Sequence, residues 1–336
     1  MNRVKQSHVS AYQFWRFLEH FFGGKQPAIR FKSQRMAIQK RVANELKLSS
    51  KGVTKQVPRV KDISTKELIK NYRDKGIPVI LEGKAKKWDC VKLWSPDWLL
   101  ENFGDDEASL FDASSQNMDK IDYSIEKTTL RKVLLAMKEG DITKYSRFNT
   151  LLYDHPELIE DFDWKWLYKM RNLISFGKTF QVFIGAKNTK TSLHAASEHN
   201  IFTQVYGKKH WYIYPPEYEL IFDPPINRTV YFHSAFDPDS LDFDAFPAAK
   251  FITTWECVLE PGDVLFNPPN WWHQVTNTEN SIGVGFRWFN FSQSAKQSLV
   301  STLLTLFSTN PPIWVANKNK TNFAKVFEYM GKKAKK

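Results

Sequence analysis

His194, in Leu193-His194-Ala195-Ala196, and His273, in Trp271-Trp272-His273, stand 79 residues apart and are the side chains best suited to chemistry. A pair of imidazoles suits a mononuclear non-haem Fe(II) centre. Such iron is usually held on one face by two histidines and a carboxylate, with the remaining positions left for reactants. The carboxylate is expected two residues after the first histidine, and Ala196 occupies that place. Two histidines alone leave one further position vacant. What fills it decides between hydroxylation, halogenation and no reaction. A lone histidine before an apolar strand is more often structural; two, each in an ordered context, point to a metal.

Alternate side chains of a strand share a face, so His194 and Ala196 point together, as does Glu198 if the strand continues. Glu198 lies one strand repeat further on, about 6–7 Å away, so its use as third ligand would need a bulge. Lys209 follows His194 by 15 residues on the strand after Gly207-Lys208, where a buried lysine could neutralise a substrate carboxylate. Thr191 and Asn200 flank the same strand pair with neutral hydrogen-bonding groups.

These side chains need a β scaffold, and the pattern changes to supply one at Thr179. Short strands are predicted over 180–184, 192–196, 200–206, 210–214, 255–259, 263–267, 273–277 and 281–288. Closely spaced short strands indicate a sandwich or barrel. Helices are predicted over 12–22, 34–47, 65–71, 95–103, 128–138, 156–170, 297–307 and 322–330, with a buried strand at 78–81 and a linker over 51–58. Three regions result: a basic helical N-terminal arm (1–57), a core (58–292) and a C-terminal helical extension with a basic tail (293–336).

The 336 residues are 42% hydrophobic and 15% aromatic, enough for a large core and a ring-lined pocket. Cys90 and Cys257 are too few for a disulfide framework and fit a reducing compartment. No apolar run is long enough for a membrane span, and no secretory cleavage pattern follows the aromatic N-terminus. A cytoplasmic or nuclear location is therefore expected. The net charge of +12 concentrates at the ends, which read as solvated, and the N-terminal arm reads as dispensable for folding of the β core. No nucleic-acid motif accompanies these basic termini, although their charge leaves such contact open.

Several motifs occur in order: Gly76-Ile-Pro78-Val-Ile-Leu81, Trp94-Ser-x-Asp97, Thr191-x-x-His194, Asn200, Gln204-Val-x-Gly207-x-Lys209, Pro215-Pro216 and Pro261-Gly262-Asp263 leading to His273. Over roughly residues 60–292 they resemble the Jumonji C (cupin-8-like) Fe(II)/2-oxoglutarate oxygenases. The sub-type resembles that of the asparaginyl hydroxylase acting on hypoxia-inducible factor. The resemblance implies a mainly β fold with flanking helices, a double-stranded β-helix of jelly-roll or cupin type. It implies that His194 and His273 bind Fe(II), that Lys209 and Thr191 bind the distal carboxylate of 2-oxoglutarate, and that O2 is the oxidant. It also places Tyr145 near the co-substrate and gives Asn200 a supporting role there. Read as residues alone, Tyr145 and Arg147 suit packing or the surface.

Two positions depart from that pattern: Ala196, and Gly285-Phe286-Arg287-Trp288, where relatives often carry Asn and aromatics. Three readings of Ala196 follow. Chloride or bromide fills the vacancy, as in halogenases with a His-x-Ala/Gly arrangement; the protein is a catalytically inactive binding module; or Glu198 substitutes in a hydroxylase. The retained Lys209 and Thr191 favour the first. The expected substrate is a small amino-acid-like molecule or a protein side chain. The apolar stripe Leu299, Val300, Leu303, Leu304 and Phe307 suits core packing or a homodimer through the C-terminal helix.

Overall fold

The computed structural model describes residues 4–23, 29–49, 52–112, 126–310 and 324–333. In chain order its strands are β1 (Val53–Gln56), β2 (Arg59–Val60), β3 (Val79–Leu81), β4 (Glu107–Asp112), β5 (Glu126–Thr129), β6 (Lys144–Asn149), β7 (Phe176–Gly185) and β8 (Lys190–Ala196). Then follow β9 (His199–Tyr206), β10 (Lys209–Tyr214), β11 (Tyr231–His233), β12 (Thr253–Leu259), β13 (Val264–Asn267), β14 (Trp272–Asn277) and β15 (Ser281–Phe289). One sheet runs β1-β12-β10-β14-β8-β11 and the other β2-β3-β13-β9-β15-β7-β6-β4-β5. From β7 to β10, and again from β12 to β15, each turn carries the chain to the opposite sheet. That alternation is the double-stranded β-helix, built as two facing sheets. Between them pack Ile80, Tyr145, Phe183, Phe202, Trp211, Ile213, Leu265 and Val275.

The alternating pattern carried the eight core strands, which lie within a few residues of their expected bounds. It did not reveal β1, β2, β4, β5, β6 or β11. All four β1 residues are exposed, so no apolar alternation marks this edge strand, and the expected linker instead pairs in parallel with β12. β11 is only three residues long, and β6 mixes charged and aromatic residues. The helix expected over 156–170 divides into a 3-10 turn (Pro156–Asp161) and a helix (Trp164–Met170), because Asp163 caps a new start by accepting from the Trp166 N–H.

The N-terminal segment departs most from expectation. Its helices, α1 (Gln6–Phe22) and α2 (Ile29–Ser49), are longer than predicted and are not a solvated arm. Val9, Tyr12, Ile38, Val42 and Leu46 join Leu193, Leu220, Phe222, Phe232 and Trp272 in one apolar cluster. Arg16, which reads as surface charge, is buried in an ion pair with Glu219 and lies 4.5 Å from the centre of the Phe232 ring. Arg35 bridges Glu19 at 3.0 Å and also pairs with Asp223. Helical periodicity located these helices, but only the tertiary fold supplies the carboxylates that let their arginines leave water. No described helix is long and apolar enough to cross a membrane.

Candidate metal centre and co-substrate pocket

β8 lies between β14 and β11, and its register places His194 opposite both His273 and His233. Directly paired residues point to the same side of a sheet, so three imidazoles form one row. The His194 and His273 ring centres are 4.1 Å apart, and those of His194 and His233 are 5.8 Å apart and nearly parallel. His233 was missed because β11 was missed. Only the cross-strand register identifies it.

Two of the rings are oriented by backbone. His194 Nδ1 lies 2.9 Å from the Ser192 carbonyl, and His273 Nδ1 lies 3.0 Å from that of Trp271, with the Asn267 amide at 3.2 Å. An Nδ1–H donating to a carbonyl leaves Nε2 as the lone-pair donor, the usual arrangement of a metal-binding histidine. Trp211 stacks on His273 at 5.6 Å and 20°. Burial pushes the His273 pKa down to about 4. It also holds His194 well below the ordinary histidine range, assisted by His273 and His233. Both rings are therefore neutral at pH 7, as a ligand must be.

Ala196 is buried on this face two residues beyond His194. Among the described residues no three His, Cys, Asp or Glu side chains close on one metal position. The Glu198 carboxylate is 4.0 Å from the Arg287 guanidinium.

Lys209 lies in the same interior, 1% exposed. The β9–β10 turn that delivers it requires Gly207, whose φ of +61° and approach to the Asn280 carbonyl exclude a Cβ. Lys209 Nζ donates to Asn277 Oδ1 at 2.5 Å and lies 5.8 Å from the centre of the Tyr145 ring. Asn277 is opposite Lys209 in the β10–β14 ladder, and its amide donates to Gly185 O, Ala186 O and Thr189 Oγ1. Burial pushes the Lys209 pKa down to about 7. The Tyr145 hydroxyl, raised by burial, is hydrogen-bonded to Thr191. Tyr145 thus belongs to this interior rather than the surface, and Arg147 spreads over its ring at 5.0 Å. A side chain at Gly283 would collide with Phe202 and come within 3.3 Å of Lys209 Cε, so the glycine keeps this end of the interior empty. Asn200 is buried with neither amide atom hydrogen-bonded. Asn277 was not anticipated; its pairing with Lys209 follows from register alone.

These residues fit the groups that the fold implies. Two neutral imidazoles present Nε2 on one face. A desolvated lysine that donates to an amide oxygen suits an incoming carboxylate, because a buried ammonium is stable only when paired.

A jelly-roll interior with two ligand-grade histidines and a buried lysine defines a cupin-type centre. The chain belongs to the Cupin-like domain family, whose model matches residues 64–294, and to its Jumonji C branch. It is 26% identical to Lysine-specific demethylase JMJ30 of Arabidopsis thaliana over 72% of this chain and 56% of that protein. It is 26% identical to Arginine-specific demethylase JMJ20 of the same plant, over 70% of this chain and 57% of that protein. It is 28% identical to Lysine-specific demethylase 8 of Danio rerio over 70% of this chain and 59% of that protein. The matches thus span little more than half the length of these relatives. They carry demethylase names, where the sub-type resemblance pointed to a hydroxylase.

Proposed function

We propose that the chain is an Fe(II)/2-oxoglutarate-dependent oxidoreductase acting on an unactivated C–H bond. The observation that carries this reading is the shared interior of the His194–His273 pair, neutral and backbone-oriented, and Lys209, buried without a carboxylate partner. His194 and His273 would hold the iron through Nε2. Lys209, with the Tyr145–Thr191 pair beside it, would receive the distal carboxylate of 2-oxoglutarate, and Asn200 would support the co-substrate. When bound, iron and 2-oxoglutarate supply the activation of O2, with loss of CO2 and formation of succinate. The chain's own part is to orient the two rings, exclude water with Trp211 and Phe202, and provide the charge that anchors the co-substrate.

Within this reading we favour halogenation, with chloride or bromide at the position that Ala196 leaves vacant. The overall change converts R–H, halide, O2, 2-oxoglutarate and a proton to R–halide, succinate, CO2 and water. The names of the relatives suggest lysine or arginine side chains as one substrate class; small amino-acid-like molecules are the other. The alternative is a binding protein without catalysis, favoured by the missing third ligand among the described residues. A hydroxylase using Glu198 is less supported, since that carboxylate lies towards Arg287.

The test is succinate release under air with Fe(II) and 2-oxoglutarate, with and without chloride, for wild type, Ala196→Asp and Glu198→Ala. Halogenation requires chloride-stimulated turnover in the wild type, lost in Ala196→Asp. Turnover indifferent to chloride rejects halogenation. Absence of turnover together with retained metal and co-substrate binding supports the binding protein. Turnover abolished by Glu198→Ala and indifferent to chloride assigns Glu198 as ligand.

A further inference from the structure

The two histidines lack the adjacent carboxylate of a two-His-one-carboxylate centre. Where a carboxylate would stand there is the methyl group of Ala196, and a buried guanidinium, that of Arg287, shares the interior. Arg287 is directly opposite Asn200 in the β15–β9 ladder, so both side chains leave the same face. Arg287 is 5% exposed and Asn200 4%. Arg287 Nε and both Asn200 amide atoms have no hydrogen-bond partner in the protein. Glu198 forms an ion pair with Arg287 Nη1 at 4.0 Å, too long for a hydrogen bond, so it balances the charge without satisfying Nε. Asn200 is in turn opposite Asn267 in the β13–β9 ladder, and the Asn267 amide lies 3.2 Å from His273 Nδ1, so this face of the interior leads to the histidine pair. Gly285 precedes Arg287 by two residues on the same face of β15. A Cβ there would meet Asn200 Oδ1 at 2.9 Å and Arg287 Nε at 3.8 Å, so only glycine leaves this space unfilled.

A buried guanidinium with an orphaned Nε–H is costly. Beside a divalent ion it would also be repelled. One kind of ligand removes both penalties: an anion that accepts from the guanidinium on one side and meets the metal on the other. We infer that Arg287, beside Asn200, forms an anion seat facing the His194–His273 pair, and that a monovalent anion held there stands in for the carboxylate missing at Ala196. The anion is a halide or the carboxylate of the primary substrate. The inference rests on the metal placement proposed above and adds the residue that holds the remaining ligand.

The experiment is calorimetric titration of Co(II) into the full chain with 2-oxoglutarate, in a buffer whose only other anion is bulky gluconate. Chloride, bromide and acetate are then added separately. At least one should raise Co(II) affinity tenfold or more in the wild type: the halides alone if the seat takes halide, acetate alone if it takes a substrate carboxylate. In Arg287→Gln the gain should vanish while the anion-free Co(II) affinity stays the same or rises, since a repelling cation has gone. A general loss of structure would lower that affinity instead. If Arg287→Gln does not fold, Asn200→Asp supplies a built-in carboxylate beside Arg287 and should remove the anion dependence. Less than twofold gain with every anion, or an undiminished gain in the variants, overturns the seat while leaving the metal site intact. Co(II) binding that is absent, or unaffected by His194→Ala, overturns the oxygenase reading itself.

Discussion

Lys209 is the residue whose chemistry differs most from its ordinary state. Its pKa falls to about 7 in the fold from the ordinary 10.5, because burial removes the water that stabilises the ammonium. The unfolded chain therefore binds a proton that the folded chain releases between pH 10.5 and 7. The contribution to stability is greatest above that window, falls as pH drops through it, and is constant below. A carboxylate beside Lys209 restores the charge, so 2-oxoglutarate binding at pH 8 should take up close to one proton, and binding at pH 6 almost none. Calorimetry in buffers of different ionisation enthalpy measures this, and uptake that does not vary with pH would place the co-substrate elsewhere. Lys209→Met should stabilise the ligand-free protein by about 1–3 kcal/mol and weaken 2-oxoglutarate by about 2–4 kcal/mol. The first is read by urea denaturation and the second by direct titration.

At the scale of the element, the decisive feature is the register of β11, β8 and β14, which sets His233, His194 and His273 in a row. His194 and His273 have their Nδ1 atoms committed to backbone carbonyls. His194→Ala and His273→Ala should each weaken Co(II) binding by at least a hundredfold. His233→Ala should weaken it by less than about threefold, because its ring stands 5.8 Å from His194 and does not complete a three-ligand group. A loss as large as that of the other two would make His233 a ligand. The β9–β10 turn is equally specific. Gly207→Ala should cost about 1–3 kcal/mol, since it combines a left-handed backbone with a clash against Asn280. It should also weaken the co-substrate, because the turn aims Lys209; chemical denaturation and titration of the same variant test both.

For the whole molecule, the N-terminal helices are part of the folded body. Tyr12 is fully buried, and Arg16 and Glu219 form a buried pair. Deleting residues 1–52 should therefore give an insoluble product or one without a cooperative transition, contrary to what their charge suggests. Arg16→Ala should destabilise by about 3–5 kcal/mol by leaving Glu219 unpaired, and Arg16→Met with Glu219→Met by much less. Thermal unfolding of the three variants decides this, and a cooperative, soluble deletion product would show the helices to be an appendage after all.

Period-two alternation from Thr179 onward was enough to read a sandwich or barrel, because each core strand faces the interior on one side, and the motif resemblance narrowed it to the jelly roll. The spacing from Thr191 through His194, Ala196, Asn200 and Lys209 was equally legible, since it runs along three consecutive strands, β8, β9 and β10, and the two short turns between them. Three site residues were not legible: Asn277, His233 and the role of Arg287. Each acts across a ladder on a partner distant in sequence: Asn277 on Lys209, His233 on His194, and Arg287 on Asn200. The basic N-terminus was misread for the same reason, because Glu219 and Asp223 lie some 200 residues beyond the tyrosine and arginines they bind. Local pattern thus determined the strands and the principal donors. Only the tertiary structure decided which charges are buried and what faces them, because desolvation and pairing depend on neighbours that the order of residues along the chain does not reveal.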